Sequence, residues 1–101
     1  MEELKKQQKI TDYPYTDEIH LFTNDTIRNF TVDVKEIDLV WHQDKEDRLI
    51  EVLEGEGWKF QRDNEVPVEM GIGDRIFIPE GEIHRVLKGM TDLKIKIIRD
   101  E

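Results

Sequence analysis

Residues 73–84 read Gly-Asp-Arg-Ile-Phe-Ile-Pro-Glu-Gly-Glu-Ile-His, and the spacing in this stretch decides the fold. Gly73 permits a backbone conformation that other residues resist. Asp74 is suited to hydrogen-bond nearby amides in a turn. Ile76 and Ile78 are two apart, so on a strand they share a face. Pro79 ends that strand, because it cannot donate to a sheet ladder. Gly81 permits a sharp reversal, and His84 opens the returning strand at a fixed distance from the corner. The spacing predicts a strand, a tight corner and a second strand that aims an imidazole inward.

Outward from this stretch the chain reads as many short strands. The pattern predicts strands over Ile19–Phe22, Phe30–Val34, Ile37–Trp41, Leu49–Leu53, Trp58–Gln61, Val66–Val68, Arg75–Ile78, Ile83–Leu87 and Leu93–Ile98. Turn residues fall between them at Asn24-Asp25, Gly55–Gly57, Asp63-Asn64, Gly71–Gly73, Pro79–Gly81 and Lys88-Gly89. Strands at this spacing predict an all-β sandwich or barrel. Residues 1–12 carry no core-forming pattern and read as a tail. Residues 13–101 read as one domain, which suits a chain of 101 residues. A core of this size is modest, so dimerisation would add stability.

Composition narrows the function. With 24 acidic against 15 basic residues the formal charge is −9. Such a surface repels phosphate backbones and anionic lipid, which argues against nucleic-acid and membrane partners. The absence of cysteine rules out disulfides and thiolate ligands. No apolar run reaches the ~20 residues needed to cross a bilayer, and the charged start does not resemble a signal peptide. A cytoplasmic location is expected.

A second polar cluster lies upstream, Trp41-His-Gln-Asp-Lys-Glu-Asp-Arg48. His42 and Asp44 are two apart and would share a face. With His84 they form a set of two imidazoles and one carboxylate, which suits non-haem iron and could also take manganese, nickel or zinc. Neutral imidazole and ionised carboxylate are both available near pH 7. His20 stands apart from this set and reads as an N-terminal strand residue, solvated or packed at an edge. Trp41 and Trp58 read as core or interface residues, and Glu80 and Glu82 as exposed turn residues. Gly71-Ile-Gly73 is too short for a dinucleotide site and has no helix after it.

Together the two clusters resemble the cupin superfamily. Its second motif, Gly-x5-Pro-x-Gly-x2-His-x3-Asn, is matched by Gly73, Pro79, Gly81 and His84, with Lys88 in place of the asparagine. Its first motif, Gly-x5-His-x-His-x3,4-Glu-x6-Gly, is matched in spacing more than in chemistry. His42 takes the first histidine and Gly55 the closing glycine. Asp44 stands for the second histidine, Arg48 for the glutamate and Glu36 for the first glycine. Val52–Phe60 resembles the strand and turn that join the two motifs in cupins. The resemblance covers about residues 30–98.

This resemblance implies a single-domain jelly-roll β-barrel, a homodimer with an exchanged or packed N-terminal strand, and a divalent metal, iron, manganese, nickel or zinc, held by His42, Asp44 and His84. A guanidinium has no lone pair, so Arg48 cannot be a ligand. Three readings of it stand open. Arg48 pairs with Glu46, Glu51 or Asp44; it clamps an anionic substrate; or it neutralises Asp44 where an ion would otherwise sit. Two functions follow. One is a module that holds a small molecule on His42, Arg48 and His84 without turnover. The other is a metal-dependent dioxygenase or isomerase acting on a small organic acid or sugar-derived substrate. His-x-Asp with a distant histidine also resembles the ligand set of 2-oxoglutarate oxygenases.

Overall fold

The computed structural model describes residues 13–98. The expected tail, 1–12, lies outside the described residues. Eight strands are present: β1 (Thr16–Ile19), β2 (Thr26–Phe30), β3 (Arg48–Glu54), β4 (Lys59–Arg62), β5 (Val68–Glu69), β6 (Arg75–Ile78), β7 (His84–Leu87) and β8 (Leu93–Ile98). They form two antiparallel sheets. One has the order β1-β2-β8-β3-β6 and the other β5-β4-β7.

Period-two patterning explains the packing. Ile50 and Val52 of β3 are buried, as are Leu93, Ile95 and Ile97 of β8. They face Phe60 and Trp58 across the sandwich, with Phe30, Val34, Leu39, Met70 and Ile78 in the same core. Trp58 is fully buried, as a core tryptophan should be, and its Nε1–H donates to the Thr91 carbonyl at 2.6 Å. Burying each of these large side chains contributes roughly 1.5–3 kcal/mol.

The stretch that opened the sequence reading is built as its residues demand. Gly73 sits at φ +91° and Gly81 at φ +83°. Asp74 Oδ2 accepts from Gly71 N–H at 2.7 Å and so ties the turn before β6. Ile78 is buried and Ile76 packs against the core, while Phe77 between them is half-exposed. The Pro79–Gly81 corner then carries the chain from the five-stranded sheet to the three-stranded one.

Three expectations are corrected. The first is the closed barrel: among the described residues no strand of one sheet pairs with a strand of the other, so the two sheets are open at their edges. Strands β4–β7 are only two to four residues long. Pro79 removes a donor where the sheets meet, and residues 31–47 contribute one isolated bridge, between His42 and His84. The second is Ile37–Trp41, which is not a strand. Glu36–Asp38 forms a single 3-10 turn. Its β-formers Ile37 and Val40 are exposed, whereas Val34 and Leu39, out of step with any alternation, are the residues buried. The third concerns the strand edges near the N-terminus. The first strand ends at Ile19, because β1 pairs Ile19 with Thr26 and leaves residues 20–25 to close the hairpin. Asn24 adopts φ +64° there, and Leu21 and Phe22 are exposed in the connection. The next strand likewise ends at Phe30 rather than continuing to Val34.

Candidate functional site

His42 and His84 meet through their backbones before their side chains are considered. His42 N–H donates to His84 O at 3.0 Å, and His84 N–H donates to His42 O at 2.9 Å. This reciprocal pair fixes both Cβ atoms on one face. The rings lie 4.3 Å apart, edge to face. Asp44 follows two residues on. The chain around it is held to the corner by Gly81 N–H donating to Asp44 O at 2.9 Å and Glu80 N–H donating to Asp47 Oδ1 at 2.8 Å. One donor atom from each of His42, Asp44 and His84 falls within 4.8 Å of the others. His84 is buried, Asp44 half-buried and His42 exposed, so the group runs from the interior toward solvent.

Hydrogen bonds set the tautomer of each ring. His84 Nδ1 lies 2.8 Å from Glu82 O, and His42 Nδ1 lies 3.0 Å from Val40 O. A carbonyl oxygen only accepts, so each Nδ1 carries the hydrogen and each Nε2 keeps its lone pair while the ring is neutral. His84 Nε2 faces Asp44 Oδ2 at 3.4 Å. That oxygen is buried and has no hydrogen-bond partner. Two lone pairs therefore confront each other inside the protein, which is unfavourable unless a cation lies between them. The cation is a proton on His84 or a metal ion. Burial pulls the His84 pKa below its ordinary 6.5. The neighbouring His42 acts in the same direction, while the Glu82 carbonyl and Asp44 act against it. Near neutral pH the proton is thus disfavoured, and the donor set fits a divalent metal.

Arg48, the first residue of β3, turns inward. Its Nη1 is 3.4 Å from Asp44 Oδ1 and its Nε 3.6 Å from Glu46 Oε2. Both contacts are long, and the buried Nε makes no hydrogen bond. Of the three readings of Arg48, ion pairing with Asp44 and Glu46 is present, and Glu51 pairs instead with Arg75 at 3.5 Å. His42, Asp44, Arg48 and His84 border a cavity of about 330 Å³.

Sequence reasoning missed the supports of the site. Arg62 lies directly across from His84 in the β4–β7 register. Its guanidinium pairs with the Glu82 side chain, donates from Nη2 to Phe77 O at 2.8 Å, and lies 5.2 Å from the Phe60 ring. Phe60 in turn packs 5.5 Å from the His84 ring. Arg62 therefore straps the corner at both ends, and Glu82, read as an exposed turn residue, supplies the carbonyl that anchors His84. The available signal was Phe60-x-Arg62, which places Arg62 on the face of a core aromatic. Arg28 was also missed. It is held by Asp17 through two hydrogen bonds of 2.8 and 2.9 Å, and its guanidinium lies 3.7 Å over the Tyr15 ring at the cavity wall. His20 is exposed, one of the two settings expected for it, but lies just past the end of β1 rather than on a strand, and Trp41 is partly exposed beneath the Arg85 guanidinium at 4.4 Å.

No family model matches the chain, and no curated protein matches it in sequence. Solved structures do match it in fold. A cupin-2 domain protein from Shewanella frigidimarina aligns over 91% of this chain and 85% of its own, at a TM-score of 0.62 and 18% identity. A cupin domain from Bordetella pertussis aligns over 91% and 99%, at 0.59 and 14% identity. Hydroxypropylphosphonic acid epoxidase (HppE) from S. wedmorenis aligns over 85% and 49%, at 0.61 and 18% identity. Its iron(II) form aligns at 0.62 and 16% identity. The chain spans about half the length of the epoxidase. At these identities the likeness is one of fold.

Proposed function

We propose that this chain, whose fold is that of the cupins, is a small-molecule-binding domain in which His42, Asp44 and His84 hold a divalent metal at the base of the cavity. The observation that carries this reading is the unpartnered Asp44 Oδ2 facing the free Nε2 lone pair of a buried His84. The two Nδ1–H groups are already committed to carbonyls, and such anchoring orients a ligand imidazole and raises its basicity. The bound metal would act as a Lewis acid toward a small molecule entering on the exposed His42 side. Arg48 contributes the nearest positive charge not supplied by the metal.

Metal analysis of protein purified without a histidine tag tests this. Near-stoichiometric iron, manganese, nickel or zinc, lost in the His42→Ala/His84→Ala double variant, is the expected result. Protein that stays metal-free after incubation with each ion refutes it. A second reading, a metal-dependent dioxygenase or isomerase, is supported by the likeness to the iron(II) HppE fold and by a donor set with room for further ligands. Dimerisation is part of the same proposal, supported by the exposed Leu21 and Phe22. A monomeric mass by light scattering would remove it.

A further inference from the structure

Two buried polar atoms of cavity-lining residues make no hydrogen bond, Asp44 Oδ2 and Arg48 Nε. The donor set accounts for the first. The second belongs to a permanent cation, and its N–H needs an acceptor. The nearest acids do not supply one. Asp44 Oδ1 lies 3.4 Å from Arg48 Nη1, and Glu46 Oε2 lies 3.6 Å from Nε. Glu46 is exposed and has a further interaction of its own. Asp38, which also lines the cavity, is exposed too, so solvent screens both acids alike. Arg28, the other arginine on the lining, is held by two bonds to Asp17, and Tyr13 and Tyr15 bring hydroxyls to the wall rather than charge.

From this we infer that the metal and a small planar oxyanion, a carboxylate or bicarbonate, bind together, with the anion taking up the Arg48 Nε–H. This rests on the metal reading above. A divalent ion held through Asp44 Oδ2 shares one carboxylate with the guanidinium that faces Oδ1. Two cations on one carboxylate repel, and at a half-buried pair that repulsion is screened less than in bulk water. An anion between them turns the repulsion into two attractions. A planar oxyanion suits both partners, because it can give one oxygen to the guanidinium and another to the ion. A water molecule would satisfy the N–H but leave the repulsion in place. An anion of this size needs nothing from the tyrosines or the aliphatic wall. The coupling is reciprocal: the anion tightens metal binding by the factor by which the metal tightens anion binding.

The test is the nickel(II) affinity of the full chain, measured by competition with a chelating dye in perchlorate and then, at the same ionic strength, in formate, acetate, bicarbonate or chloride. The dye alone in each salt corrects for nickel bound by the anion in solution. Formate, acetate and bicarbonate should each tighten nickel binding at least about fivefold, and chloride less than about twofold. Calorimetry should show acetate binding tightened by the same factor when nickel is present, a measurement that needs no variant. Arg48→Gln should bind nickel at least about fivefold more tightly than wild type in perchlorate, and its response to acetate should fall below about twofold. Glu46→Gln should keep the acetate effect; its loss there would make Glu46 the responding group and overturn the assignment to Arg48. Nickel affinity that ignores every anion, or rises as much with chloride as with acetate, overturns the inference while leaving the metal site standing. Nickel that binds neither wild type nor Arg48→Gln in any of the salts removes the metal reading itself.

Discussion

Replacing Arg62 by alanine separates the support of the site from its donors. In the wild-type chain the guanidinium bridges Phe77 O, before the corner, and the Glu82 side chain, after it. The ion pair is partly exposed, with side-chain exposures of 27% and 30%, so it contributes about 0.5–1 kcal/mol. The charged hydrogen bond to Phe77 O adds about 1 kcal/mol, and the contact with the Phe60 ring about 0.5 kcal/mol. Together these give about 2 kcal/mol, or a fall in Tm of about 10 °C for a domain of this size. The larger consequence should be local. Without the strap the Glu82 carbonyl is free to move, and with it the bond that fixes His84 Nδ1–H. Loss of such an outer support typically lowers metal affinity 10- to 100-fold. Urea unfolding gives the stability term, competition with a chelating dye gives the affinity, and 15N NMR of the histidine rings reports the tautomer of His84 without any metal. Arg62→Lys should recover part of the stability but not the tautomer, since one ammonium cannot span both acceptors. If Arg62→Ala loses the expected stability yet keeps His84 as the pure Nδ1–H tautomer and leaves metal affinity within twofold, the corner is held by other bonds and the reasoning fails.

Two further outcomes follow from the same geometry. Because burial lowers the His84 pKa in the folded chain, the unfolded state takes up its proton first as the pH falls. The neutral ring's contribution should therefore be fully present above pH 6.5 and decline through the interval between 6.5 and the lowered folded value. Urea midpoints measured across this range should fall less in His84→Gln than in wild type, and equal slopes would contradict the assignment. Glycine substitutions should differ sharply. A Cβ on Gly89 would meet Glu56 O at 2.4 Å and Trp58 N at 2.5 Å, so Gly89→Ala should cost ~3 kcal/mol or prevent folding. A Cβ on Gly73 meets nothing within 4 Å, so Gly73→Ala should cost only its φ strain, ~1 kcal/mol, in the same assay.

The local devices of the fold were legible in the sequence because each is a short-range rule. Gly73, Asp74, Pro79 and Gly81 act within a few residues of themselves, and each behaves as its type requires. The pairing of His42 with His84 was also legible, through motif spacing. What escaped depended on register between distant strands. Nothing local to Arg62 announces that it lies opposite His84, and nothing local to Glu82 announces that its carbonyl matters more to the site than its charge. Ile37–Trp41 misled for the opposite reason. Its β-forming residues are real, but Val34 and Leu39 are the ones the core takes up, and a 3-10 turn is what places them both inside.

The reciprocal main-chain bonds between His42 and His84 have a kinetic meaning. They join segments on either side of β3, β4, β5 and β6, so closing them costs the entropy of a long loop. The donors are therefore assembled by a long-range closure, and an occupant held there would act as a latch on it. Such a latch would slow the reopening of the chain more than it hastens collapse, and it would leave the vacant protein more open to proteolysis than the filled one.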